Sequence, residues 1–183
     1  MIAGLRLLPL SRSGGDGAPG AALLNRLAAE ASRLLAISCE VEAQALSIDP
    51  LFDDIREQAW STAILARLQE RRPARHTVIL GVTELDLYVP VLTFVFGEAQ
   101  LNGPCAVISA HRLREEFYGM APNEDLLVAR LMKEALHELG HTQGLRHCTD
   151  WRCVMSSAHT AERIDLRQAG FCPACAGLLR LAG

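Results

Sequence analysis

Residues 137 to 147 read HELGHTQGLRH, a stretch whose side chains could hold a metal ion and do acid–base chemistry on it. His137 and His141 are one helical turn apart, so on a helix both imidazoles leave the same face, their bases roughly 6 Å apart along the axis, and can reach one ion. Glu138, one position round from the first histidine, is poorly placed to ligate beside both. It suits a carboxylate that handles the proton of a metal-activated water. A third ligand is needed, and a straight helix would carry the next candidate away. Gly144 can break the helix without steric cost, so the chain can turn back and bring His147 to the same ion. Three neutral imidazoles would leave a zinc ion with one open position for water, whose pKa such an ion lowers to about 7. HExxH alone also arises by chance on amphipathic helices; the added glycine and third histidine argue against chance here. His76, His111 and His159 stand outside any ligand spacing and read as surface or hydrogen-bonded core residues.

Four of the six cysteines follow in two pairs, Cys148 and Cys153 in CTDWRC and Cys172 and Cys175 in CPAC, joined by 18 residues. This spacing suits a closed site of four thiolates on a second, structural zinc, which would contribute folding energy rather than catalysis. Disulfides are the rival reading, disfavoured in a reducing compartment, and a redox role for CPAC is disfavoured because only eight residues follow Cys175. Because Cys148 directly follows His147, the thiolate site would anchor the loop that delivers the third histidine. Cys39 and Cys105 lie in apolar segments and are expected to be buried free thiols.

These groups need a framework. The 183 residues, half of them hydrophobic, with 18 Lys+Arg against 21 Asp+Glu for a net charge of −3, fit one packed domain over 1–183. We divide it into residues 1–147, ending in the active-site helix and third ligand, and a C-terminal part, 148–183. The basic residues are scattered, so a nucleic-acid surface is not indicated. No stretch approaches the roughly 20 apolar residues of a membrane helix, and the first residues lack the features of a secretion signal, so a cytoplasmic protein is expected.

Along the chain, Ile2 to Pro9 reads as a buried first strand, Ser11 to Gly20 as a loop and Ala21 to Leu35 as a helix. Cys39 to Ile48 alternates as a strand would. Asp53 to Glu70 carries a helical stripe at Ile55, Ala59, Ile64, Leu65 and Leu68, stopped by the RRP at 71 to 73. The segments HTVILGVTELDLY, VPVLTFVFGEAQ and GPCAVISAHRL each read as a strand. Asn123 is the expected N-cap of a third helix, with Glu124 and Asp125 suited to its positive end, and Gly144 its stop.

The stretch HELGHTQGLRH resembles the extended zinc-binding signature of the metzincin metalloproteases. Its continuation through Cys148, Cys153, Cys172 and Cys175, with LGVTELDLYVPVLTFVFGEAQLNGPCAVIS upstream, is similar to the archaemetzincins in particular. The resemblance covers roughly residues 45 to 179. It implies a catalytic zinc on His137, His141 and His147, Glu138 as general base and acid, and a structural zinc on Cys148, Cys153, Cys172 and Cys175. It also implies that Met155, otherwise a core residue, is the Met-turn methionine beneath the metal. The fold it implies is α+β: a twisted mixed β-sheet packed on helices, with an active-site helix and a small zinc-stabilised C-terminal subdomain. The strand near Phe94 to Gln100 would be its antiparallel edge, lining the cleft and accepting a peptide or protein substrate as one more strand. The expected activity is zinc-assisted peptide hydrolysis. A metal-binding regulatory module without turnover, or a zinc hydrolase acting on a non-peptide amide, are the alternatives.

Overall fold

The structure, a computed structural model, describes residues 2–71 and 75–181. The first strand, β1 (Gly4–Ser11), is followed by helix α1 (Ala21–Leu35) and by two short strands, β2 (Ser38–Val41) and β3 (Leu46–Ser47). The segment expected as one strand from Cys39 to Ile48 is therefore two, pairing with successive parts of β1. Next come β4 (Phe52–Asp53), β5 (Gln58–Trp60) and helix α2 (Ser61–Gln69). The helix expected from Asp53 starts eight residues late because Asp53 Oδ1 accepts from the amides of Ile55 and Arg56, closing a turn that Glu57 continues at φ 55°. Ile55, assigned to the apolar stripe, is 97% exposed. Arg72 and Pro73 of the expected stop lie outside the described residues.

The segment HTVILGVTELDLY splits into β6 (Thr77–Thr83) and β7 (Leu87–Tyr88), which belong to different sheets. In the next segment only Gly97–Ala99 is a strand, β8, preceded by an isolated bridge between Leu87 and Val95. The third forms β9 (Cys105–Ser109). The main sheet runs β2-β1-β6-β9-β8, parallel except for β8, which lies antiparallel to β9 at the edge, and β3 also pairs with β1. The small sheet is β4-β5-β7.

Because side chains alternate across a strand, this sheet is buried on both faces. Leu5 and Leu7, Val78, Leu80 and Val82, and Ala106 and Ile108 join α1 and the long helix α3 (Glu124–Thr142) in one core cluster. Leu8 and Leu10, Ile79, Cys105 and Val107 join Ile64, Leu65 and Leu68 of α2 in the other. The first cluster also takes in Cys153, Val154, Met155 and Cys175, and Ile164 from α4 (Ala161–Leu166); α5 (Pro173–Leu181) ends the described chain. Among the described residues no helix is long and apolar enough to cross a membrane.

Candidate metal centre

Helix α3 begins where Asn123 accepts from the amide of Leu126 at 3.0 Å. It ends at Thr142, and two bonds tie off its last carbonyls: the Gly144 amide donates to His141 O at 2.9 Å and the Leu145 amide to Gly140 O at 3.0 Å. Gly144 has φ +88°, a conformation that costs any residue with a Cβ. The chain thus turns at the expected glycine, and one ligand atom from each of His137, His141 and His147 lies within 4.8 Å of the others.

Two of the rings are fixed in orientation. His137 Nδ1 donates to the Val154 carbonyl at 2.8 Å, and His141 Nδ1 donates to the Leu145 carbonyl at 2.7 Å. The Nε2 atoms are thereby left bare, and they face each other at 3.1 Å. Two lone pairs this close need a cation between them. A proton fits badly, since burial holds His137 down at about 3 and also lowers His141 and His147. A metal fits well: nitrogens about 2.0–2.1 Å from a tetrahedral ion sit about 3.3 Å apart.

Glu138 is buried, and burial raises its carboxyl well above the ordinary range, with the charges of Glu134 and Glu98 adding to the effect and Arg167 opposing it. Its carboxylate abuts the edge strand, for a Cβ on Gly97 would stand 2.8 Å from Glu138 Oε1. Met155 is fully buried against Gly140, the residue just before His141 on α3, and a Cβ on Gly140 would strike its sulfur.

The four cysteines gather as the spacing requires. Cys148, Cys153, Cys172 and Cys175 form a second cluster within the same 4.8 Å limit, and all six cysteines are free. Cys148 and Cys172 are 3.8 Å apart at sulfur, far too long for a disulfide and matching the roughly 3.8 Å between sulfurs about 2.3 Å from a tetrahedral zinc. The Cys172 amide points at Cys153 Sγ at 3.4 Å, and a backbone hydrogen bond from the Cys175 amide is the main reason Cys172 falls to about 7. Cys172 thus has the surroundings of a thiolate, whereas burial raises the Cys153 thiol. Cys105 is buried as expected, but Cys39 is only half-buried; burial raises both to about 11.

The cleft over the histidines, about 770 Å³, is also lined by groups that spacing did not mark: Glu98, Glu134, Arg146, His159 and Arg167. His159, expected as a surface or hydrogen-bonded core residue, is exposed and lies on the cleft wall. Glu134 is one turn before Glu138, on the same face of α3, and its pairing with Arg167 joins positions 33 apart that no local motif connects. The charge of a helical Glu on an otherwise apolar stripe was the one available signal.

A mixed sheet with an antiparallel edge strand, a helix bearing two histidines, a third histidine beyond a glycine turn, and a buried methionine packed on that helix make this a metzincin-like fold. The model of peptidase family M54 matches residues 36–181, and the chain belongs to that family, the archaemetzincins. Archaemetzincin from Methanocaldococcus jannaschii is 49% identical over 120 residues, which cover 66% of this chain and 65% of that protein, so the match spans just under two thirds of the relative. Among solved structures, a zinc-dependent peptidase from Methanocorpusculum labreanum superposes with a TM-score of 0.83 at 29% identity, covering 96% of this chain and 99% of the other. Archaemetzincin from Archaeoglobus fulgidus, complexed with malonate, superposes with a TM-score of 0.79 at 31% identity, covering 96% and 99%.

Proposed function

We propose that the protein is a zinc peptidase that cleaves peptide or protein substrates, with the catalytic metal on His137, His141 and His147 and a structural zinc on Cys148, Cys153, Cys172 and Cys175. The observation that carries this reading is the pair of bare Nε2 atoms at 3.1 Å, with His147 within ligand distance. When bound there, zinc supplies Lewis acidity, polarising a carbonyl and lowering the pKa of a water.

The chain's own groups do the rest. Glu138, whose surroundings raise its proton affinity, takes a proton from the attacking water at its carboxylate and gives it up to the leaving amine. Strand β8 holds the substrate. In its antiparallel register Glu98 pairs with Val107, and the flanking bonds run from Ser109 N to Phe96 O and from Gln100 N to Cys105 O. The even-numbered residues therefore face β9, and Gly97 and Ala99 turn their N–H and C=O groups to the open edge, where an extended peptide can add. Met155 serves as the apolar floor of the metal site.

We read residues 1–183 as one domain, a reading supported by the core cluster that runs from Leu5 to Cys175 across the boundary at 147/148. Four thiols kept for metal suit a reducing compartment such as the cytoplasm. Mass spectrometry of a diverse peptide mixture incubated with wild type and with Glu138→Ala tests the activity. Amide cleavage by wild type alone, with both proteins holding two zinc ions, is the expected result; intact peptides with wild type would overturn it.

A further inference from the structure

The buried pair Glu134–Arg167 lies inside the cleft and bears on the chemistry above only through its charges on Glu138. Arg167 Nη1 donates to Glu134 Oε1 at 2.6 Å, with side-chain exposures of 2% and 5%, and Arg167 Nε is buried with no partner. Buried N–H groups are nearly always paired, and a guanidinium can only donate, so this end of the cleft lacks an acceptor. A purely structural role is already filled by neighbours. Arg130 binds Asp165 at 2.8 and 2.7 Å, and Lys133 donates to the carbonyls of Ile164 and Asp165, which together fasten α4 to α3.

We propose that Glu134 and Arg167 form the polar end of a specificity subsite, which takes a substrate side chain next to the scissile bond bearing a carbonyl-type oxygen, as carboxamide or carboxylate. Phe94, Phe96 and Ala158 line the same cleft and supply apolar surface for the stem. Glu134 stands three residues before His137, about 4.5 Å along the helix axis. That distance calls for a stem as long as that of glutamine or glutamate. A carboxamide matches both members at once, its oxygen accepting from Arg167 and its NH₂ donating to Glu134. The pair is specificity-determining and touches neither the water nor the metal.

The proposal rests on the peptidase reading for the phrase "scissile bond", but its test needs no turnover. Short peptide hydroxamates, which anchor on the metal, would carry glutamine, glutamate or norleucine at the residue beside the hydroxamate, in series extended to either side. Their Kd values would be measured by calorimetry on zinc-loaded wild type and on Glu134→Gln/Arg167→Met, a double change that leaves no lone buried charge. In one series the glutamine or glutamate compound should bind at least about tenfold tighter than norleucine, as expected where a buried donor goes unpaired without an acceptor. In the double variant that advantage should shrink to within about twofold, with norleucine unchanged. Equal binding by glutamine and glutamate would mean that any carbonyl-type oxygen suffices, and glutamine alone would mean a carboxamide site. Norleucine binding as tightly as either on wild type, or an advantage that survives the double change, would overturn the proposal. If the double variant does not fold, the wild-type ranking decides alone. The same ranking with no peptide cleaved would count against the peptidase reading only.

Discussion

His137 Nδ1 lies 2.8 Å from the carbonyl oxygen of Val154, the residue that directly follows Cys153. The two metal clusters are thus joined twice: at His147–Cys148 through the peptide bond, and through Cys153–Val154 to the ring of His137. The Cys148 amide closes the circuit by donating to Met155 O at 2.9 Å. An ion held by the four cysteines would therefore help to position two of the histidines as well as Met155.

Loss of one thiolate should accordingly damage both sites. Cys153→Ser is expected to lose the structural zinc and to weaken zinc on the histidines by about 10- to 100-fold, the range seen when groups supporting a metal ligand are removed. Metal analysis after dialysis against graded chelator would show two losses in the variant where His147→Ala shows one. Retention of full affinity at the histidines in Cys153→Ser would contradict the coupling.

The turn at Gly144 should tolerate no side chain. A Cβ there meets the left-handed penalty of about 1–2 kcal/mol and also strikes Asn102 Oδ1. Gly144→Ala should lower stability by at least about 2 kcal/mol in urea titration and loosen zinc at His147, whereas Gly177→Ala, where nothing lies within 4 Å of the added Cβ, should do neither.

Gly97 is held to glycine by a different contact, the carboxylate of Glu138 on one side and Val107 O on the other, both 2.8 Å from an added Cβ. Gly97→Ala must push Glu138 aside or lift β8 from β9. Displacements near 1 Å cost about 100-fold in rate, so kcat/KM should fall by that order with both metals retained. An unchanged rate would mean that Glu138 does not act from this position.

The metal-free protein should lose stability as the pH falls below 6.5. His137 binds a proton at its ordinary value of 6.5 in the unfolded chain but only at about 3 when folded, because of burial. Between those values the unfolded chain holds more protons, so acid favours unfolding and the stability is fully present above 6.5. His141 and His147, also lowered by burial, add to the slope, and Glu138, raised by burial, opposes it. Urea titrations of chelator-treated protein from pH 5 to 8 should show the loss, and His137→Asn should flatten it. An identical slope in the variant would remove His137 as the cause.

The parts legible in the sequence were those fixed locally. Helix α3, its Asn123 cap and its end before Gly144 follow from propensities and from a backbone conformation that few residues other than glycine adopt. The two candidate ligand sets follow from spacing. Asp53 read as helix because periodicity cannot register an aspartate that closes its own turn. VPVLTFVFGEAQ read as one long strand because its apolar residues were assigned to pleats. Phe94 instead stacks beneath Arg112, 4.1 Å from its ring centroid, and Gln58 holds Thr93 O at 2.9 Å, so the loop is fixed by partners distant in sequence. Glu134–Arg167 escaped for the same reason: its meaning lies in a contact across 33 positions.

Anomalous diffraction at the zinc edge from crystals of metal-loaded protein tests the central claim most directly. The account predicts two peaks per chain, one enclosed by the four sulfurs of Cys148, Cys153, Cys172 and Cys175, the other bound by Nε2 of His137, Nε2 of His141 and a ring nitrogen of His147, with Glu138 beside it and not ligating. A second peak lacking His147, or one in which Glu138 takes its place as a ligand, would contradict it.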